Sequence, residues 1–241
     1  MAGGNRSLET PALVVSSRRF KEADQILTLY TRDRGRVSAI AKGIRRTKSR
    51  LGGRLEPFSL VEISLHLGRS SLYSITGAQT IRTFQAVRDR LYRMDEGARL
   101  LEDIRRYFPE EEENAAAFNL LVRAVGYLSL AESREAAAGV VLAARSKLLV
   151  AHGYLPELDS CQKCGEDEFL CAFDPSLGGV ICQDCYGEGV HDCFRLSDQG
   201  LTALREVLVR PLSEAAEVRV SKAVSGEVER AVSRIFDHHG H

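Results

Sequence analysis

The 241-residue sequence contains no apolar run near the roughly 18 residues that a membrane-spanning helix needs. Its N-terminal segment, MAGGNRSLET, also lacks the apolar core of a secretory signal. From these two absences we expect a protein of the cytoplasm.

The signatures of several enzyme classes are absent as well. Neither GxxxxGK[ST] nor GxGxxG, the glycine-rich loops that cradle phosphates, occurs in the sequence. There is no Gly-x-Ser-x-Gly elbow of a hydrolase, and no proline precedes either Cys-x-x-Cys pair, as a zinc deaminase would require. The carboxylates show no spacing typical of a catalytic pair. These absences favour a binding protein over an enzyme.

The net charge is zero, but the two signs are distributed unequally along the chain. Residues 1–85 contain 15 Lys and Arg against 6 Asp and Glu, a balance of +9, and the remainder carries 18 against 27, a balance of −9. A neutral protein divided in this way has one region suited to a polyanion such as nucleic acid.

The segment 42–54, KGIRRTKSRLGGR, concentrates this positive charge and contains no acidic residue. Three glycines interrupt it and no apolar periodicity runs through it, so we predict a surface loop. Arg offers a phosphate a bidentate fork and Lys a point charge, although a solvated loop without a partner has the same composition. The candidate phosphate-binding residues, two of them from the preceding turn, are Arg34, Arg36, Lys42, Arg45, Arg46, Lys48, Arg50 and Arg54.

Residues 10–80 predict a β domain. Short runs rich in Val, Ile, Leu, Tyr and Thr, bounded by turn residues, predict strands at 12–16, 25–31, 36–41, 59–67 and 71–78. Five short strands in this arrangement indicate a small, partly open barrel of the OB type. Such barrels bind single strands through a positive groove and aromatic side chains on which bases stack. The aromatic candidates, each of which could equally be a core residue, are Phe20, Tyr30, Phe58 and Tyr73.

From residue 85 the apolar spacing changes to three and four, which predicts amphipathic helices. The residues predicted to form the buried face of the first helix are Val87, Leu91, Met94, Ala98, Leu101, Ile104 and Phe108. Later helices are predicted around 118–128, 140–148, 201–208 and 224–236, with Ser197 as an N-cap. The predicted class is therefore α+β: an OB-type barrel at 1–82, then a helical bundle at 83–241 with a cysteine-rich insertion at about 158–195.

Two Cys-x-x-Cys pairs give the most specific signal in the chain. Cys161 and Cys164 are separated from Cys182 and Cys185 by 17 residues, a spacing typical of a four-thiolate zinc site. Four protein ligands leave no open coordination position, so one Zn²⁺ here would be structural. Disulfides or a thioredoxin-like redox pair are the alternatives, and a reducing cytosol disfavours the first. The two other cysteines, at positions 171 and 193, have no neighbouring partner and are interpreted as ordinary thiols.

These elements, in this order, resemble the bacterial RecO family of recombination mediators. The resemblance is carried by ADQILTLYT at 23–31, AIAKG at 39–43 with its Arg-rich continuation, LEPF at 55–58, GYLP at 153–156 and the two cysteine pairs. The chain departs from the family at Lys21-Glu22, where Gly-Glu is common, and at its short C-terminal end.

The resemblance implies a non-enzymatic DNA repair protein, associated with the nucleoid. Such proteins bind single- and double-stranded DNA, anneal complementary strands and act with the partner RecR. They also bind the acidic, apolar C-terminal tail of the single-strand-binding protein and help to load RecA. A tail of this kind needs an apolar groove with a basic rim, for which Arg123, Arg145 and Lys147 are the candidates.

Two other functions fit parts of the sequence. In a zinc-ribbon regulator or RNA-binding adaptor the cysteine knuckles themselves would touch nucleic acid, but Lys163 is the single cation between Cys161 and Cys185, against five acidic residues. In a metalloenzyme the zinc site would hold a water ligand, which four thiolates do not allow.

Overall fold

The computed structural model describes residues 7–46, 49, 51–68, 72–187, 192–215, 217 and 221–239. The chain forms two compact units, Met1–Ala131 and Glu132–His241. Residues 83–131, which we predicted as the start of the helical domain, therefore lie in the same unit as the barrel. Among the described residues, no helix is both long and apolar enough to span a membrane.

Five strands close into a barrel in the order β1-β2-β3-β5-β4, which confirms the predicted OB-type architecture. The strands are β1 (Ser7–Phe20), β2 (Asp24–Thr31), β3 (Gly35–Ala41), β4 (Leu60–Leu67) and β5 (Tyr73–Arg82). All neighbouring pairs are antiparallel except β3 and β5, which run parallel. The barrel core includes Leu27, Leu29, Val37, Ile63 and Leu65, each almost completely buried.

Strand β1 is 14 residues long, much longer than the predicted run 12–16, because it pairs along its length with two neighbours. Its first half lies against β4 and its second half against β2. A bulge between Val14 and Ser16 shifts the register with β2. Since one extra residue exchanges the two faces of a strand, the bulge lets the outer end of β1 extend beyond the core.

Two helices follow the barrel where the sequence predicted one. Asp89 and Arg90 separate α1 (Gln85–Arg88) from α2 (Leu91–Tyr107), and α3 (Ala115–Leu130) completes the unit. The predicted buried face of α2 was wrong at its N-terminal end, since Leu91 and Met94 are 72% and 40% exposed and Ala98 is exposed as well. Gly97 faces inward instead.

Gly97 explains why the N-terminal half of α2 buries a different face from the predicted one. A Cβ atom at Gly97 would lie 2.8 Å from the ring of Phe58 and 2.9 Å from Leu128, so the bare backbone is what lets the helix approach them. Apolar periodicity alone gives a glycine no weight, which is why the prediction missed it.

The second unit contains the remaining helices and a small sheet. The helices are α4 (Arg134–Ala151), α5 (Gln183–Gly187), α6 (Asp198–Val209), α7 (Leu212–Ala215) and α8 (Lys222–His239). Strands β6 (Leu170–Asp174), β7 (Gly179–Cys182) and β8 (Phe194–Arg195) form the sheet in the order β7-β6-β8. Ser197 caps α6 as predicted, since its Oγ accepts a hydrogen bond from the Gly200 N–H at 3.0 Å.

Candidate nucleic-acid interface, apolar groove and four-cysteine centre

The start of the basic segment is bonded to the β1–β2 hairpin, so that the two form one surface at one end of the barrel. The Gly43 N–H donates to the Asp24 carboxylate at 2.8 Å, and the Arg45 N–H donates to the Ala23 carbonyl at 3.0 Å. The Arg45 guanidinium also donates to the Glu22 carbonyl at 2.9 Å. We call this surface, formed by residues 18–24 and 42–46, the basic end.

Six exposed cations lie on the basic end: Arg18, Arg19, Lys21, Lys42, Arg45 and Arg46. Within the described part of the chain, none of the six forms an ion pair with a carboxylate. Their positive charge is therefore free to attract an anionic partner.

Three of these cations were missed by the sequence prediction. Arg18, Arg19 and Lys21 lie more than 20 residues before the basic segment, so a search for dense charge within one window cannot connect them. The pairing of the hairpin strands is the signal that could have connected these three cations with the basic segment. The register Gln25↔Ala41 brings the start of β2 beside the end of β3, and Phe20↔Asp24 brings the end of β1 to the same place.

Two predicted residues lie elsewhere. Arg34 and Arg36 lie near the β2–β3 turn, where Thr31 pairs with Gly35, at the opposite end of that hairpin from the basic end. Arg36 is also engaged internally, since it donates to the Phe108 carbonyl at 2.7 Å and pairs with Glu110 at 3.0 Å. We therefore correct its role: Arg36 joins the barrel to the α2–α3 connection and does not belong to the predicted phosphate surface.

The other predicted loop residues divide into described and undescribed positions. Arg54 is exposed and donates to the Ala78 carbonyl at 3.2 Å. Lys48 and Arg50 lie outside the described residues, and their predicted role stays a prediction.

The four aromatic candidates are now distinguishable. Tyr30, Phe58 and Tyr73 are buried, with exposed fractions of 1%, 4% and 6%, so they are core residues. Phe20, at the end of β1 on the basic end, is only partly buried. It alone of the four is accessible to a base.

An apolar groove lies on the first unit, between the end of the barrel and α3. Its volume is about 390 Å³. The residues that line it are Leu60, Ile81, Arg82, Phe84, Val122, Arg123, Gly126, Tyr127 and Leu130. Ile81 and Leu130 are 53% and 69% exposed, and both arginines are exposed. The groove thus combines an apolar surface with two cations.

Of the three predicted partner-binding residues, Arg123 alone lines this groove. Arg145 is buried (6% exposed), forms an ion pair with Glu229 and donates to Ser233 at 3.3 Å. The Lys147 ammonium donates to the Leu208 carbonyl at 3.1 Å, and burial lowers its pKa. We therefore correct Arg145: it is a structural residue of the α4–α8 contact, not the rim of a groove.

The four predicted metal ligands converge in the second unit. The Sγ atoms of Cys161, Cys164, Cys182 and Cys185 all lie within 4.8 Å of one another. The Sγ atoms of Cys164 and Cys182 are 3.7 Å apart, close to the edge of about 3.8 Å that a tetrahedron with metal–sulfur distances of about 2.3 Å would have. The described sulfurs can therefore hold one metal ion.

The surroundings of Cys161 favour the thiolate that a metal binds. Burial opposes ionisation of Cys161, but the backbone N–H groups of Cys182, Cys164 and Lys163 hydrogen-bond to its sulfur and lower its pKa to about 6. Gly165, with φ 81°, takes the left-handed conformation that lets the first knuckle turn back.

The two remaining cysteines differ from the four. Burial and the Asp174 carboxylate, which accepts a hydrogen bond from the thiol, raise the pKa of Cys193 to about 12. Burial likewise raises the pKa of Cys171. Both are thiols outside the cluster of four.

Comparison with known proteins gives a consistent result over nearly the whole chain. A family model described as Recombination protein O N terminal matches residues 6–84, and one described as Recombination protein O C terminal matches residues 91–240. DNA repair protein RecO of Rubrobacter xylanophilus is 41% identical over 222 residues, which cover 91% of this chain and 88% of that protein.

Further relatives carry the same description. DNA repair protein RecO of a Nocardioides species is 41% identical over 179 residues, which cover 72% of each chain. The protein of the same description from Caldanaerobacter subterraneus subsp. tengcongensis is 29% identical over 235 residues, which cover 97% of this chain and 93% of that one. The chain therefore belongs to the RecO family of DNA repair proteins.

Proposed function

We propose that this protein is a non-enzymatic recombination mediator that binds single- and double-stranded DNA on the basic end and anneals complementary strands. The observation that carries the proposal is the set of six exposed cations that form no ion pairs with carboxylates among the described residues. Lys and Arg that neutralise phosphates release counterions from DNA, which supplies binding without regard to sequence. Neutralising two strands on one surface also lowers the repulsion that keeps them apart.

Removing four of these charges is expected to weaken DNA binding strongly. In the variant Arg18→Gln, Arg19→Gln, Lys42→Gln, Arg46→Gln, the bonds that Gly43 and Arg45 make to the hairpin are retained. The plot of log binding constant against log salt concentration has a negative slope, and each lost phosphate contact makes that slope on single strands shallower by about 0.7. Losing four contacts therefore makes it shallower by about 3 and reduces affinity at 0.15 M salt by roughly two orders of magnitude.

The measurement is fluorescence anisotropy with a labelled oligonucleotide between 0.05 and 0.3 M salt, together with an annealing assay. The charge-matched control combines Arg210→Gln, Lys222→Gln, Arg230→Gln and Arg234→Gln, which removes four exposed cations of the second unit. A quadruple variant that retained the affinity and salt slope of the unmodified protein would refute the assignment of DNA to the basic end.

We further propose that the apolar groove binds the C-terminal tail of the single-strand-binding protein, and that the protein acts with RecR in loading RecA. Support for the groove comes from charge and shape. An acidic, apolar tail would place its apolar residues against Ile81 and Leu130 and its carboxylates beside Arg82 and Arg123.

Arg123→Ala is expected to reduce affinity for a synthetic tail peptide roughly tenfold or more, because a charged hydrogen bond to a carboxylate is lost. Lys147→Ala should leave peptide affinity unchanged, since the Lys147 ammonium is directed at the Leu208 carbonyl. Isothermal titration calorimetry measures both. Equal affinities for the unmodified protein and Arg123→Ala would place the tail elsewhere.

We also propose that the four-cysteine centre holds one structural Zn²⁺. Four cysteine sulfurs within 4.8 Å of one another match the ligand preference of this ion, and four thiolate ligands would leave no site for a reactive water. The acidic residues between the cysteine pairs disfavour the alternative in which the knuckles bind nucleic acid.

A further inference from the structure

Phe20 has an unusual position for a large aromatic residue. Within the described barrel, the other aromatic candidates are core residues, whereas Phe20 lies partly exposed among the six cations of the basic end. Its cross-strand partner is Asp24, whose carboxylate accepts the hydrogen bond from Gly43. The side chain therefore lies where the hairpin and the basic segment are joined.

The β1 bulge places Phe20 on the outer face of the barrel. Before the bulge Val14 pairs with Leu29, and both belong to the barrel core; after it, Ser17 pairs with the core residue Leu27. Since side chains alternate along a strand, Arg18 and Phe20 share the opposite, outward face. The loop between β1 and β2, which begins directly after Phe20, corresponds to a loop that OB barrels use to bind oligonucleotides.

Lys21 occupies a strained backbone position beside Phe20. Its φ is 53°, in the left-handed region, which costs a non-glycine residue roughly 1–2 kcal/mol. The side chain is exposed, and its ammonium lies 5.4 Å from the centre of the Phe20 ring. The Lys21 side chain is exposed, so burial does not offset this strain, and outliers of this kind cluster at functional sites.

We propose that Phe20 stacks on a base of single-stranded DNA, while Lys21 and Arg18 contact the phosphates on either side of that base. This inference rests on the proposed DNA-binding function and deepens it. Cations alone bind a phosphate backbone whether the strand is single or paired, whereas an accessible aromatic ring adds stacking energy with an unpaired base. The basic end would thereby bind single strands more tightly than duplexes of equal length, which a strand-annealing protein needs in order to release its product.

The test compares Phe20→Leu with the unmodified protein on three probes of equal length: a single-stranded oligothymidine, a duplex, and an abasic strand that keeps the phosphates. The expected loss on oligothymidine is between roughly fivefold and 150-fold, because one base loses its stacking partner. Affinity for the abasic strand and the duplex should change less than twofold. The salt slope should stay unchanged on every probe, because no charge is removed.

Two further variants and a control sharpen the result. Phe20→Trp should restore binding to oligothymidine, since the indole ring also stacks. Lys21→Gly should keep the fold, because glycine adopts a φ of 53° without strain, and it should make the single-strand salt slope shallower by about 0.7. The control Phe169→Leu removes an aromatic ring that is 74% exposed in the second unit, and it should leave the affinity for all three probes unchanged.

Equal losses for Phe20→Leu on all three probes would show a structural role and overturn the stacking inference, as would no loss on oligothymidine. If the quadruple charge variant weakens binding while Phe20→Leu does not, the proposed function stands and the stacking inference fails. If neither variant affects DNA binding, both are overturned.

Discussion

Removal of the proposed Zn²⁺ with a chelator is expected to unfold the region around the four cysteines, because binding of a structural zinc supplies on the order of 10 kcal/mol of folding free energy. The sheet β6–β8 is small, and the segments that carry the cysteines are short and rich in exposed acidic side chains. The cysteine segments 161–168 and 182–187 bury little besides Cys161 and Cys182, so few apolar contacts hold these two segments without the metal. The barrel, whose core is made by its own strands, should retain its structure.

Hydrogen exchange measured by mass spectrometry distinguishes the two regions. Residues 157–187 should lose protection on chelation and regain it when Zn²⁺ is added back, whereas β1–β5 should show no change. Cys182→Ser should reproduce the effect of chelation, and Cys193→Ser, at a thiol outside the cluster, should not. Unchanged protection of residues 157–187 after complete removal of metal would refute a structural zinc site.

Arg145→Ala is expected to destabilise the second unit by about 3 kcal/mol. The guanidinium is buried against α8, where it pairs with Glu229, bonds Ser233 and lies 6.0 Å from the centre of the Phe236 ring. Truncation would leave the Glu229 carboxylate without this partner and open a cavity. Breaking a buried pair costs about 3–5 kcal/mol, and the lower end applies because the Glu229 side chain is 26% exposed.

Urea unfolding, followed by amide exchange in α4 and α8, measures this loss. Arg105→Ala breaks an ion pair whose side chains are about half exposed, and it should cost less than about 1 kcal/mol. The double variant Arg145→Met, Glu229→Leu should recover much of the stability, since apolar residues can replace a buried pair. A small loss for Arg145→Ala would mean that the arginine can reach solvent and serve a partner after all.

The sequence predicted features that depend on local pattern. Short runs of strand-forming residues bounded by turn residues identified all five barrel strands, and the Cys-x-x-Cys spacing identified four sulfurs that the fold brings together. Each pattern is defined by residues that are close together in the chain, so a single sequence is sufficient to recognise both.

Features that depend on tertiary pairing were predicted less well. The sequence does not show whether an arginine faces solvent or pairs with a carboxylate from a distant part of the chain, so Arg36 and Arg145 could not be distinguished from surface arginines. The Arg36 partner lies 74 residues away and the Arg145 partner 84 residues away. Conversely, the contribution of Arg18 and Lys21 to the basic end follows from hairpin register, which a search by local charge density does not consider.

The attachment of the barrel to the helices that follow it determines how the protein can be divided. Tyr30 of β2 packs its ring against Phe108 at 5.6 Å and Phe118 at 6.4 Å, and a Cβ at Gly35 would lie 1.8 Å from the Glu112 carbonyl oxygen. A fragment that stopped at residue 82 would leave this tyrosine in water and the β2–β3 turn without its support. A fragment that carries the basic end and keeps these contacts should therefore extend to Ala131, where the first compact unit ends.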